Sequence, residues 1–527
     1  MQQVKGVSPI TASAGDTKMT DSARGDGGAY RRQGIAGFAV YTLGLIMLAS
    51  LLQHFSIEPI SWQFAAIIGI LAIWRYSWGL VHFFRSLIYR KIVFPDLRVR
   101  AENSGDHLLP PHIYLLLTSF RISAETSLRV YGAAIQEAIN CGIPATIVAS
   151  IVEAADELLI KELFLQSDPP EHVRLQFVRI PGTGKRDGLA QGFRAISRDM
   201  PEPGALVAVI DGDSELESGL IRKCAPFFGM MPKLGALTTD EDCDVEGSEV
   251  MTQWHRLRFA QRHILMSSIA LSGKVLTLTG RMSMFRADIV TDPAFITHVE
   301  SDSIEHWRLG YFKFLTGDDK STWYWVLKSG YDMMYVPDVS VHTIEHPPSS
   351  NFFKATSILM LRWFGNMLRT NGRALALGPA RAGIFTWWCI LDQRVSMWTS
   401  LTGPTFAVFL TVKHSWVFLF LYLVWIGFTR WIMTLMLLSA RPYVSWYYPF
   451  LMYYNQIWGS CIKTYAFFRL DRQSWTRQKT SINRHLTRPQ QFLLRGSSLM
   501  LHCVAILCFT TIVGLLAGVL KVSAFTF

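Results

Sequence analysis

Asp211 and Asp213 stand one residue apart at the end of V-A-V-I-D-G-D-S, Val207 to Ser214. The run is short, apolar and β-branched, and the turn-prone P-E-P-G precedes it, so it reads as a buried strand whose exit carries two carboxylates. At the carboxyl end of a parallel strand, where the loops of an α/β sheet gather ligands, two acids so spaced can hold a hard divalent cation against a diphosphate. An isolated D-x-D also closes an ordinary turn, so the chemistry depends on what else the chain offers.

Three further stretches fall where such a site needs them. P-G-T-G-K-R-D-G-L, Pro181 to Leu189, combines glycines that let the backbone approach a ligand with Lys185 and Arg186, whose charges suit a diphosphate; alone it is equally a solvated basic turn. T-G-D-D-K, Thr316 to Lys320, precedes a helix beginning near Ser321. Asp318 and Asp319 can supply a base to deprotonate an acceptor hydroxyl and Lys320 can hold one acid ionised, although Asp also serves as a helix cap. L-M-L-R-W, Leu359 to Trp363, places Arg362 and Trp363 on a helix, where the pair can close over a sugar terminus or anchor the helix at a membrane interface.

The elements that must position these residues are of two kinds. With 527 residues, half of them hydrophobic and 17 of them Trp, the chain is too long for one compact domain and too apolar for an average soluble protein. The net charge of +11 suits an anionic bilayer surface and anionic substrates; no classical nucleic-acid module is visible. The seven cysteines have no C-x-x-C spacing, which predicts reduced thiols without a disulfide frame or zinc site. Residues 1–34 are polar, lack a signal-peptide core and read as a disordered cytosolic tail.

Ile35 to Phe55 and Trp62 to Phe84 are each long enough to cross ~30 Å of hydrocarbon. Arg31 and Arg32 before the pair, and Arg85, Arg90, Lys91, Arg98 and Arg100 after it, put both outer ends in the cytosol. Arg75 lies inside the second span, where a charge costs roughly 2.5–3.5 kcal/mol, so it must snorkel or face a partner or a watery exit path for an anionic polymer. From His107 to about Pro348 the pattern becomes α/β, with strands at 113–117, 145–151, 173–180, 205–210, 234–239, 275–286 and 333–337 and helices at 127–140 and 249–269; this alternation predicts a parallel sheet. Phe352 to Arg369 reads as an interface helix, Met397–Val412 and Trp416–Leu438 as two spans, Tyr443 to Leu470 as interfacial or a poor span, and Leu499 to Leu520 as a final span. With Tyr443–Leu470 interfacial, five spans result and the C-terminus is periplasmic.

Together these residues resemble the membrane-embedded processive family 2 glycosyltransferases, the group of hyaluronan, chitin and cellulose synthases. The match is an ordered set: G-K-R, D-x-D on a strand, T-G-R (Thr279 to Arg281) with its acceptor-side Gly280, G-D-D-K, R-W on an interface helix, and S-W-T-R (Ser474 to Arg477) near the W-x-T-R gating motif. D-G-D-S-E-L, T-G-D-D-K-S-T-W and R-W-F-G-N-M-L-R-T-N are similar to the mannuronan synthases of bacterial alginate production.

The resemblance implies an α/β fold with a GT-A-type cytosolic catalytic domain (89–350) inserted between transmembrane helices (35–88, 393–440, 497–527). Amphipathic interface helices (351–392) and an interface helix with a basic gating segment (441–496) complete it. It implies a multi-pass enzyme of the bacterial inner membrane that polymerises GDP-mannuronic acid into β-1,4-mannuronan. Its partners would be a membrane-anchored cyclic-di-GMP-binding copolymerase subunit and periplasmic alginate export proteins.

Carried over by position, Asp211 and Asp213 would hold nucleotide and Mg2+ (or Mn2+), Asp319 would be the base with Asp318 its neighbour, Lys185 and Arg477 would contact the diphosphate, and Arg362 and Trp363 the acceptor. Trp475 belongs to the gating motif, and Arg281 would recognise the incoming uronate. Asp319 would take the proton of the acceptor's 4-hydroxyl in an inverting displacement. Two departures stand out: Leu359 replaces the Gln of Q-x-x-R-W, and T-S-F-R at Thr118 to Arg121 replaces P-x-Y-N-E. The acid after the second strand is Glu153 or Asp156. Another processive synthase with a different sugar nucleotide, or an idle secretion or regulatory subunit, are the alternatives.

Overall fold

The computed structural model describes residues 27–55, 62–475, 480–481 and 487–520. The tail up to residue 26, the loop around Glu58 and Pro59, Arg477 and the last seven residues lie outside them. The first helix spans Gly27–Ser50, so it begins within the segment expected as tail.

The apolar runs of the catalytic domain form one sheet of eight strands: β1 (Ile113–Thr118), β2 (Ala145–Ile151), β3 (Val173–Arg179), β4 (Leu206–Asp211), β5 (Ser214–Leu216), β6 (Leu234–Val245), β7 (Met282–Arg286) and β10 (Asp332–Glu345), in the order β3-β2-β1-β4-β7-β6-β10-β5. A separate hairpin pairs β8 (Ser303–His306) with β9 (Gly310–Lys313). Strand β2 is buried along its whole length and β1 up to Thr118, as expected of central strands covered on both faces. Helices Ala124–Asn140 and Lys185–Arg198 turn their apolar stripes onto the sheet.

The sheet is mixed, not wholly parallel. Strand β7 runs antiparallel to both β4 and β6, and β5 antiparallel to β10. The expected strand at 275–286 explains the difference, because only Met282–Arg286 joins the ladder. Residues 274–280 form an irregular segment whose carbonyls are taken by the helix Asp318–Ser329: Trp323 Nε1 donates to Val275 O at 2.7 Å and Lys320 Nζ to Leu276 O. Met333 N donates to Gly273 O, so this segment starts beside the amino end of β10 and finishes at the sheet's carboxyl edge, from which β7 must run back.

Four helical segments among the described residues are long and apolar enough to cross a membrane: Gly34–His54, Ile384–Lys413, Val417–Leu437 and Arg488–Leu516. The boundary expected at 392/393 has no break, because Ile384–Lys413 is one helix with Pro404 inside it. Phe352–Ala376, started by Asn351 accepting from Lys354 N at 3.0 Å, packs along Tyr448–Phe468. The latter helix touches the catalytic domain at both ends. Tyr448, Leu451 and Met452 share an apolar cluster with Trp254 and Leu257, while Ala466 and the following Leu470 share one with Leu309, Phe312 and Phe314. A helix held at both ends by one domain lies along that domain.

Candidate active site

Strand β4 delivers Asp211 to the carboxyl edge, and the chain turns through Gly212 hard against the end of β1. A Cβ on Gly212 would fall 2.6 Å from Ser119 Oγ and 2.8 Å from Thr118 O, so only glycine permits this approach. Lys185, the first residue of its helix, reaches across: its Nζ lies 2.5 Å from Asp211 Oδ1 and 2.8 Å from Asp318 Oδ2. Gly280 closes the third side. A Cβ there would meet Lys185 Nζ at 2.7 Å and Asp211 Oδ2 at 2.9 Å.

Asp318 and Asp319 open the helix Asp318–Ser329, where the amino-terminal dipole favours anionic side chains. Their environments separate them. Burial works against the charged form of Asp318, yet Lys185 and Arg186 hold its carboxyl below the ordinary range; burial, reinforced by the charge of Asp318, pushes Asp319 above it. Two adjacent acids driven apart in this way form the pattern of one fixed anion beside one proton acceptor. Burial likewise raises Asp211, against the pull of Lys185 and with added repulsion from Asp213 and Asp318. Burial pushes the Lys320 ammonium down to about 8, opposed by Asp319.

These groups line one cavity of 590 Å3, shared by Lys185, Asp211, Asp213, Gly280, Arg281, Asp318, Asp319, Lys320, Arg362 and Trp363. All four chemistry-bearing stretches therefore meet, although they lie far apart in the chain. Leu359, where the family pattern has Gln, also faces the cavity, as do Thr118, Ser119 and Phe120 of the altered first loop; Glu153 and Asp156 are not among the lining residues. Among the described residues no group of three or more His, Cys, Asp or Glu side chains is placed to take a metal alone. Asp211 and Asp318 share the Lys185 ammonium, and Asp213 is near enough to raise Asp211, a set of carboxylates that suits a cation whose remaining ligands come from a bound diphosphate.

Three of the arginines expected to meet substrate are engaged by the protein itself. Arg186 turns away from the cavity: buried, it donates to Val299 O at 2.8 Å and to Thr316 O and Ser321 Oγ at 3.1 Å, and so clasps the T-G-D-D loop from beneath. Arg281 lines the cavity but is pinned by Glu241 (3.1 Å) and Glu345, which occupy the fork a substrate carboxylate would need. Arg75 is away from the cavity and neither snorkels nor stands open: its Nη1 lies 2.6 Å from Asp392 Oδ1 on the helix Ile384–Lys413. Ser474–Trp475 pairs with Thr480–Ser481 as a short antiparallel ladder.

Of the residues that sequence reasoning passed over, Arg258 lines the wall and the buried Trp254 backs it. Trp254 and Arg258 stand one turn apart on the helix Glu249–Ala270. The indoles of Trp254 and Trp363 stack at 5.7 Å and 20°, and the Arg258 guanidinium lies 3.5 Å from the Trp363 ring centroid and 4.9 Å from that of Trp254. The W-x-x-x-R spacing was the available signal, since it aligns the two side chains on one helical face.

The family model described as "Glycosyltransferase like family 2" matches residues 110–366. A glycosyltransferase alg8 from Pseudomonas syringae pv. tomato is 53% identical over 463 residues, covering 88% of this chain and 94% of that protein. A glycosyltransferase alg8 from Azotobacter vinelandii is 51% identical over 463 residues with the same shares. Among solved structures, a mannosyltransferase from Pyrobaculum calidifontis in complex with GDP-Man and Mn2+ is similar with a TM-score of 0.42 and 13% identity, covering 76% of this chain and 98% of that one.

Proposed function

The chain belongs to the family of the alg8 glycosyltransferases, and from that premise we propose that it is an inverting, processive mannuronan synthase that polymerises GDP-mannuronic acid and passes the product across the membrane. The observation that carries this reading is the convergence of Lys185, Asp211, Asp213, Asp318 and Asp319 on one cavity that also takes in Trp363 of the interface helix. A catalytically idle subunit would have no need to keep every one of these groups in place.

In this mechanism Lys185 contacts the donor's diphosphate. Asp319, held above the ordinary carboxylate range, accepts the proton of the acceptor's 4-hydroxyl as that oxygen attacks the anomeric carbon, and Asp318 remains an anion that fixes Lys185. Trp363 and Arg362 form the acceptor side. Asp211 and Asp213 would hold Mg2+ or Mn2+, which when bound neutralises charge on the departing nucleoside diphosphate. Four helices long and apolar enough to cross a membrane support placement in the bacterial inner membrane with the catalytic domain cytosolic. A membrane-anchored cyclic-di-GMP-binding copolymerase subunit and periplasmic export proteins are the partners that this reading implies.

A donor panel tests it. Membranes holding the full-length protein should release GDP and make polymer from GDP-mannuronate with divalent metal, and not from GDP-mannose or UDP-sugars. Turnover of a different donor would reassign the sugar, and no nucleotide release from any donor would favour the idle subunit.

A further inference from the structure

Several cations face the cavity, and most have an occupation inside the protein. Arg281 is held by Glu241 and Glu345, Arg262 lies 3.4 Å from Glu241 Oε1, and Lys320 donates to Leu276 O. Arg258 differs. Among the described residues it donates no hydrogen bond and has no carboxylate within ion-pair distance, yet it lies in the cavity wall, flat on Trp363. A guanidinium stacked face-on to an indole keeps its N–H groups in the plane of the stack, where they form a fork suited to a carboxylate. Burial, with Arg281 nearby and Glu345 opposing, brings its pKa down to about 9, so it remains a cation at neutral pH.

A neutral hexose would meet this group with hydroxyls only and leave a largely desolvated charge without a counterion, which is costly. A hexuronate supplies one carboxylate per sugar. The location also separates acceptor from donor. Lys185 and Asp211 mark the diphosphate at the sheet edge, whereas Arg258 and Trp363 stand on helices joined to Tyr448–Phe468 by a shared apolar cluster. Further along that helix the Lys463 ammonium lies 4.6 Å from the Phe364 ring centroid, with Asp392 as the carboxylate that acts on it.

The geometry points to Arg258 as a specificity-determining residue that binds the carboxylate of a hexuronate unit of the growing chain, with that sugar's face against Trp363. This deepens the polyuronate reading and rests on it.

The test measures binding of a β-1,4-mannuronate tetrasaccharide and of the neutral β-1,4-mannose tetrasaccharide to the full-length protein in nanodiscs, alongside donor turnover. The wild type should bind the uronate at least tenfold more tightly than the neutral oligomer. Arg258→Gln should lose at least tenfold in uronate affinity while its affinity for the neutral oligomer changes less than twofold. Arg258→Lys keeps the charge without the fork and should lose about three- to tenfold. Uronate binding by Arg258→Gln at wild-type strength overturns the proposal; should the Gln variant fail to fold, undiminished binding by Arg258→Lys does so instead. A wild type that turns over GDP-mannuronate yet binds both oligomers equally also overturns it and leaves the donor reading standing. A wild type that uses only a neutral sugar nucleotide removes the polyuronate reading itself.

Discussion

The Lys185 ammonium lies 2.8 Å from the Asp318 carboxylate, so the first turns of two helices far apart in sequence share one ion pair at the floor of the cavity. Asp318 is thereby committed as an anion, and its charge is one of the two causes that lift its neighbour Asp319. From this relationship follow an assignment of the base and a pH dependence.

Asp319→Asn should lower the initial rate of GDP release with polymer formation by 100-fold or more, within the range of about 10²–10⁴ for a lost general base, while GDP binding is retained. Full polymerisation by this variant would remove Asp319 as the base. A base acts only when ionised, so the rate must fall as pH drops through the raised Asp319 pKa, placing the acid limb above the ordinary Asp value of about 3.9. Asp318→Asn removes the neighbouring negative charge and should move the limb of the residual activity to lower pH; an upward or absent shift would argue against the coupling.

Gly280→Ala should fold, because the segment before it is secured by Trp323 and Lys320, yet lose donor binding. Its Cβ would enter the space of Lys185 Nζ and Asp211 Oδ2, at 2.7 and 2.9 Å. A KM for donor raised about tenfold or more, with an unchanged melting temperature, is the expected pair of results; an unchanged KM would show that these two groups move aside freely.

Arg281→Ala should act first on stability. It leaves Glu345 without its cation and Glu241 with Arg262 alone in a largely buried setting, and breaking comparable buried ion pairs costs about 3–5 kcal/mol. The measurement is thermal unfolding of the solubilised protein. A melting temperature equal to wild type, combined with lost uronate selectivity, would return Arg281 to the substrate-recognition role expected from the sequence.

Arg75→Leu strands Asp392, so it should lower folded yield, and Arg75→Leu with Asp392→Leu should recover it, since an apolar pair of similar volume commonly replaces a buried ion pair at no net cost. Size-exclusion profiles of the single and double variants decide this. Full yield from the single variant would make the pair dispensable.

The helix Tyr448–Phe468 contacts the catalytic domain at both ends, which favours a path along the membrane surface; adding Trp62–Phe84, the span expected from the sequence, to the four helices apolar enough to cross, we propose five spans and a periplasmic C-terminus. An alkaline phosphatase fusion at the C-terminus should be active. Activity of a cytosolic reporter there instead would mean that this helix crosses.

Much of the fold was legible in the chain itself. Strands β1, β2 and β4 and the helices Ala124–Asn140 and Glu249–Ala270 follow from apolar periodicity and turn residues, because local sterics and the burial of one face act over a few residues at a time. The ordered stretches around Lys185, Asp211, Asp318 and Trp363 were legible too, since this chemistry demands particular groups at loop and helix ends. The fate of each charge was not. Arg186, Arg281, Arg75 and Arg258 are the same residue type in sequence, but the first is spent on backbone carbonyls, the second on Glu241 and Glu345 and the third on Asp392, while the fourth is left to face the cavity. The segment 274–280, strand-like in pattern, was likewise withdrawn from the sheet by Trp323 and Lys320. Composition states that a buried cation needs a partner; only the packing of distant elements decides whether that partner is the protein or the substrate.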